Sequence, residues 1–178
     1  MKPELLAPAG NLKKLKCAFN FGADAVYVGG KSFSLRAFAD NFTDEELAEG
    51  IAYAHGRGKK VYVAVNIFAR NADLSMLEAY FCKLQEMNAD AVLVSALGTL
   101  SVCRRVAPAL TVHISTQANI TNAEAARAYQ MLGASRVVLA RELSIAEIAQ
   151  IHAACPELEL EAFVHGAMCI SYSGRCYL

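Results

Sequence analysis

At 178 residues and 19.2 kDa the chain is long enough for one well-filled domain and too short for two. Apolar residues make up 55% and charged residues 19%, which excludes intrinsic disorder, a coiled coil and collagen and suits a sheet buried on both faces. Lys and Arg total 17 against 17 Asp and Glu, so the neutral chain has no general pull on nucleic acid or anionic membrane. A partner of that kind would need a local patch or sequence beyond this chain. Residues 1–20 lack the continuous apolar stretch of a secretion signal, and no 18-residue apolar run occurs, so no membrane-spanning helix is expected. Six cysteines without such a signal read as thiols, ligands or nucleophiles in a cytoplasmic protein rather than as a disulfide framework.

In chain order, the pattern predicts strands near 4–7, 25–29, 60–66, 91–95, 111–116, 136–140 and 159–165. Helices fall between them, near 11–21, 43–56, 73–87, 97–106, 122–132 and 144–154. A repeated unit underlies this alternation. Residues 22–30 (GADAVYVGG), 88–96 (NADAVLVSA) and 133–141 (GASRVVLAR) each open on Gly or Asn and run into β-branched residues. Residues 58–66 (GKKVYVAVN) repeat it more loosely. Gly and Asn accept the left-handed conformation just past a helix, so each copy reads as helix stop followed by buried strand. Thr43-x-x-Glu46 and Ser144-x-x-Glu147 are capping boxes, and Asn122 can cap the helix that follows it.

Alternating strands and helices imply a parallel sheet, either doubly wound or closed as a barrel. No G-x-G-x-x-G follows the first strand, where APAGN stands instead, which argues against a dinucleotide fold. Units of roughly 25 residues suit a (β/α) barrel of about 250. The expected fold is therefore a TIM-like (β/α) barrel with seven βα units present, residues 1–178 forming a single domain incomplete at its C-terminal end. Its first and last strands would then be open edges.

Barrel enzymes place their chemistry at the C-terminal ends of the strands. Those ends offer Gly29, Gly30, Lys31, Arg36, Asn66, Ser95, Ser115 to Gln117, Arg141, Glu142 and His165, whereas the opposite ends offer ordinary turn residues. Each polar group either binds substrate or merely caps a helix or pairs with a neighbour. Arg36 and Arg141 suit an anionic substrate, since a guanidinium grips carboxylate or phosphate with two bonds, while Arg141 and Glu142 equally read as a structural ion pair. Position alone nominates Arg36, Gln117, Arg141 and His165 for substrate binding.

Residues 161–178 (EAFVHGAMCISYSGRCYL) are the richest in chemistry, with His165 near Cys169 and Cys176 seven residues on. Two readings stay open: a metal or cluster site completed by residues outside this chain, or a thiol nucleophile at Cys169 with His165 as its base. Cys17, Cys82, Cys103 and Cys155 read as small buried hydrophobes. His55 and His152 read as surface residues, and His113 as a mid-strand histidine satisfied in place. Tyr80 and Phe81 read as core.

The pattern Glu161-x-Phe163-x2-Gly166-Ala167-Met168-Cys169-x4-Gly174-x-Cys176-x-Leu178 resembles the signature of peptidase family U32, the collagenase-like family, short of its final Ser. The stretch ELLAPAG at 4–10, GADAVY at 22–27, Ser34-Leu35-Arg36, Gln117-Ala118-Asn119 and RELS at 141–144 resemble it too. Within the family, residues 163–176 are most similar to the branch that makes 5-hydroxyuridine at the tRNA wobble position. That resemblance implies a barrel carrying a four-cysteine [4Fe–4S] cluster, with prephenate as the hydroxyl source and tRNA as partner of the full-length protein. It puts two cluster ligands on Cys169 and Cys176, and the other two outside this chain. Other branches imply hydroxylation of ribosomal RNA or of ubiquinone precursors, the latter as a paired complex, so paired or homo-oligomeric assembly is a further expectation. The family name implies a peptidase with a cysteine nucleophile as the alternative.

Overall fold

Helix α1 (Leu12–Asn20) begins where Asn11 accepts a hydrogen bond from the Lys14 N–H (2.9 Å) and ends ahead of Gly22, at φ +99°. The same exit recurs at Gly58 (φ +65°), Asn88 (φ +57°) and Gly133 (φ +92°), ahead of the strands Lys60–Ala64, Ala91–Val94 and Arg136–Val138. Here the chain must turn through the left-handed region, which Gly and Asn tolerate. A second exit serves the remaining two strands. Ala107 and Cys155 cap their helices with φ near −135° and each precedes a proline, which disfavours helical backbone in the residue before it. Both exits close with the same turn, Leu110 N to Ala107 O (3.0 Å) and Leu158 N to Cys155 O (3.1 Å).

The structure, a computed structural model, describes residues 2–34 and 41–175. Its strands are β1 (Leu6–Pro8), β2 (Ala25–Gly29), β3 (Lys60–Ala64), β4 (Ala91–Val94), β5 (Val112–Ile114), β6 (Arg136–Val138) and β7 (Glu159–Glu161). Between them lie α1, α2 (Asp44–His55), α3 (Leu74–Glu86), α4 (Leu97–Val106), α5 (Ala123–Met131) and α6 (Ile145–Ala154). Every predicted element is present. The strands run parallel in the order β1 to β7, curled into an incomplete TIM-like barrel whose edges are β1 and β7. Both predicted capping boxes form, Thr43 with Glu46 and Ser144 with Glu147.

Two apolar layers follow from strand alternation. Val26, Val28, Val61, Val63, Val92 and Val94 face outward and pack beneath the helices with Leu15, Phe81 and Leu84. Ala25, Tyr62, Ala91, Leu93 and Val138 face the barrel interior, with Leu6 and Tyr27 packed against them. Tyr80 and Phe81 are core, as expected, and Cys103 and Cys155 are buried. Burial pushes the Cys103 thiol up to about 12, so it is an inert hydrophobe.

Several expectations are corrected, and Cys82 is only half-buried. Cys17 is exposed, because α1 turns that position away from the sheet. His113 is not satisfied: it is 3% exposed, its Nδ1 has no hydrogen-bond partner among the described residues, and its ring meets Tyr62 edge-on with ring centres 4.7 Å apart. Burial, helped by Arg136, lowers its pKa to about 3, so it stays neutral. His55 is exposed but bonds Asp90 at 3.0 Å.

The N-terminal ends of the strands, read from sequence as ordinary turns, carry a charged network instead. Arg136 reaches into the interior, donating to Glu159 (2.7 Å) and Glu4 (2.8 Å), with Glu161 at 3.4 Å. The Tyr62 hydroxyl donates to Glu4 at 2.9 Å, and Lys60 lies 3.3 Å from the same carboxylate. Register explains the meeting: His113, Arg136 and Glu159 are successive partners across β5, β6 and β7.

Candidate functional site

At the C-terminal ends of the strands, backbone bonds first set the platform. Val65 N donates to Leu93 O, and Ser115 N to Val94 O, carrying the ladder past the ends of β3 and β5. Ser115 then opens a single 3₁₀ turn over Thr116–Ala118 that ends at Asn119 in the left-handed region (φ +52°). This turn presents Gln117, whose Oε1 accepts from Asn66 Nδ2 at 2.8 Å. Ser95 Oγ donates to Asn66 O (3.4 Å), and Thr116 Oγ1 to Leu139 O (3.3 Å). These polar groups thus join the ends of β3, β4, β5 and β6 into one surface, each using a neighbour as partner.

The segment after β7 lies across this surface. Residues 162–170 are all exposed, while Ser173 is 1% exposed. Arg141, just past β6, donates from one guanidinium nitrogen to Cys169 O and from the other to Ser171 O (2.6 Å). The Arg141 N–H donates to Ser173 Oγ (3.1 Å), and Ser173 N–H to Glu142 Oε1 (2.7 Å). A little burial would raise the Glu142 carboxyl, but the Ser173 bonds and neighbouring charge hold it below the usual carboxylate range. Gly174 (φ +77°) completes the seat: a Cβ there would stand 2.3 Å from Gln117 O, so no other residue fits. Arg141, Glu142, Phe163, Met168, Cys169 and Tyr172 line an open cleft of about 470 Å³ at this face.

The predicted residues divide accordingly. Gln117 and Arg141 stand on the strand-end surface, and Cys169 and His165 on the exposed segment that crosses it. Arg36 and Cys176 lie outside the described residues. Sequence reasoning missed the bonds from Arg141 and Glu142 to residues 169, 171 and 173, because partners some 30 residues apart leave no local signal. A [4Fe–4S] cluster takes four thiolates. Among the described residues no three His, Cys, Asp or Glu side chains converge as metal ligands. The donors described here therefore do not make a cluster site by themselves.

An incomplete parallel barrel, with a cysteine-bearing segment seated on its strand ends, places the molecule among (β/α)-barrel proteins whose candidate site is the C-terminal face. The chain belongs to peptidase family U32, whose profile matches residues 10–178. It is 50% identical over 177 residues to the tRNA hydroxylation protein P1 of Bacillus subtilis (strain 168), covering 99% of this chain and 42% of that protein. It is 36% identical over 175 residues to the 23S rRNA 5-hydroxycytidine C2501 synthase of Escherichia coli (strain K12), covering 98% of this chain and 26% of that protein. The chain thus spans less than half the length of these curated relatives. Among solved structures, a U32 peptidase superposes with TM-score 0.75 at 18% identity, over 90% of this chain and 68% of that one, which speaks for the fold alone. Among the described residues no helix is long and apolar enough to cross a membrane.

Proposed function

We propose that this chain is the barrel portion of an oxygen-independent RNA hydroxylase that forms 5-hydroxyuridine at the tRNA wobble position, with prephenate as the hydroxyl source. The observation that carries this reading is the 50% identity with a tRNA hydroxylation protein across essentially the whole chain, against 36% for the ribosomal RNA enzyme. The polar strand-end surface suits the role, since it offers both amide and hydroxyl groups for orienting a small co-substrate beside an RNA base. Gln117 and His165 are the groups we assign to substrate contact, with Arg36 as a further cation. Cys169 and Cys176 would supply two of the four thiolates of a [4Fe–4S] cluster, the others coming from outside this chain. Zero net charge leaves tRNA affinity to a local patch or to the rest of a longer protein, acting in the cytoplasm.

The test is mass spectrometry of tRNA nucleosides from the source organism with the gene deleted, grown without oxygen so that no oxygen-dependent route masks the loss. Disappearance of 5-hydroxyuridine derivatives is the expected result, and their unchanged presence refutes the assignment. In cells carrying Cys169→Ser in the full-length protein, the same nucleosides should be lost. The peptidase alternative draws on the family name and on the fold shared with a U32 peptidase. It requires peptide cleavage by iron-free protein that a thiol alkylator abolishes.

A further inference from the structure

We infer that Arg141 and Glu142 form a positioning clamp that fixes the path of the Cys169 segment over the strand ends, rather than a grip for a substrate anion. Regular secondary structure does not order this segment. Residues 162–175 contain no helix or strand, and among the described residues the one turn bond they make between themselves is Arg175 N to Tyr172 O (2.9 Å). Arg141 and Glu142 supply what the backbone does not. The two guanidinium nitrogens take the carbonyls of residues 169 and 171, two positions apart, one on each arm of a fixed planar fork, whereas a lysine ammonium would have to serve both from a single, freely rotating nitrogen. Ser173, the buried residue of the segment, is held from both sides: its hydroxyl accepts from the Arg141 N–H and its own N–H donates to Glu142. These contacts reach residues 169, 171 and 173 in turn, and Gly174 then sits on the Gln117 backbone. The clamp thereby indexes Cys169 to the Asn66–Gln117 pair at the ends of β3 and β5. Arg141 is a positioning residue in this scheme, and the functional part of the claim rests on the RNA hydroxylase reading.

Amide hydrogen exchange read by mass spectrometry tests the clamp on this chain, comparing wild type with Arg141→Gln, Arg141→Lys and Glu142→Gln. Peptides spanning 166–175 should exchange about three- to tenfold faster in both Arg141 variants, while peptides from β2 to β5 keep their wild-type rates. A lysine at 141 should not rescue the ordering, although it would serve an anion. Wild-type exchange in all three variants overturns the clamp, and faster exchange throughout the barrel overturns it as a local device. Complementing the deletion strain with full-length Arg141→Lys tests the positioning role. Loss of the modified nucleoside together with faster exchange supports it, and a fully retained nucleoside despite faster exchange overturns it. If deletion of the gene itself leaves the nucleoside intact, the RNA reading fails, and hydrogen exchange still decides whether the clamp exists.

Discussion

Arg136 enters the barrel interior from an otherwise apolar strand, and its side chain is only 10% exposed. Burial works against its charge, but bonds to Glu4 and Glu159 raise its pKa above the usual arginine value, so the guanidinium stays protonated. Arg136→Met should therefore leave Glu4 and Glu161 with uncompensated charge and cost about 3 kcal/mol, read from the urea midpoint at neutral pH. The network also sets the acid limb of stability. Burial raises Glu4, yet the Arg136 and Tyr62 bonds and nearby cations win and hold it below 4.5. Its contribution is thus complete above 4.5 and lost as pH falls through the folded value. His113 acts in the same direction: with a folded pKa near 3 against 6.5 unfolded, it refuses a proton that the unfolded chain accepts, so stability falls as pH drops from 6.5 toward 3. Glu161 opposes them, since burial raises its pKa and its ionisation weakens the fold as pH climbs through that value. Unfolding midpoints should accordingly be flatter than wild type for Glu4→Gln below pH 4.5, and for His113→Leu between pH 6.5 and 3. The latter should also be neutral or stabilising at pH 7 by up to about 1 kcal/mol, because it removes an unpartnered buried nitrogen.

Among the elements, α2 and α6 begin with reciprocal capping boxes. Thr43 Oγ1 accepts from Glu46 N at 3.2 Å while Glu46 accepts from Thr43 N at 2.9 Å, and Ser144 and Glu147 repeat the arrangement. Thr43→Ala and Ser144→Ala should each cost about 1 kcal/mol in thermal or urea unfolding. Their effects on function should differ. Ser144 lies two residues past Glu142, so loosening the start of α6 disturbs the base of the Cys169 segment, whereas Thr43 belongs to another loop. Faster exchange of 166–175 in Ser144→Ala than in Thr43→Ala would show that coupling, and equal rates would refute it. The helix exits carry a similar logic. Gly133→Ala should destabilise by about 1 kcal/mol or more, because position 133 is at φ +92° and a Cβ there would stand 2.9 Å from Arg104 Nε.

For the whole molecule, the open side of the barrel is the dominant feature. Among the described residues, edge strands β1 and β7 each pair with one strand and turn their other side to the gap, and the Arg136–Glu4 pair ties β6 back to the start of the chain. On the outer flank of β7, Ile145, Ile148, Pro156, Leu158 and Leu160 line a hollow of about 440 Å³, and Ile145 is 86% exposed. An unpaired edge beside an apolar hollow favours association. The 178-residue chain should therefore run as oligomers or aggregates by light scattering, and a monodisperse monomer that melts cooperatively would contradict this.

The alternation of strands and helices, the capping boxes and the left-handed exits at Gly22, Asn88 and Gly133 were legible in the sequence because each depends on residues within a few positions of one another. The polar character of the strand ends was legible for the same reason. Contacts between distant residues were not. Nothing in the spacing of Glu4, Tyr62 and Arg136 announces that the barrel curl brings them together, and the charges at 136, 159 and 161 become partners only through strand register. Nor does spacing reveal that Arg141 and Glu142 hold residues 169 to 173. Local pattern determined the elements and the face that carries the chemistry, while the closure of the sheet decided which side chains on that face, and at its opposite pole, could reach one another.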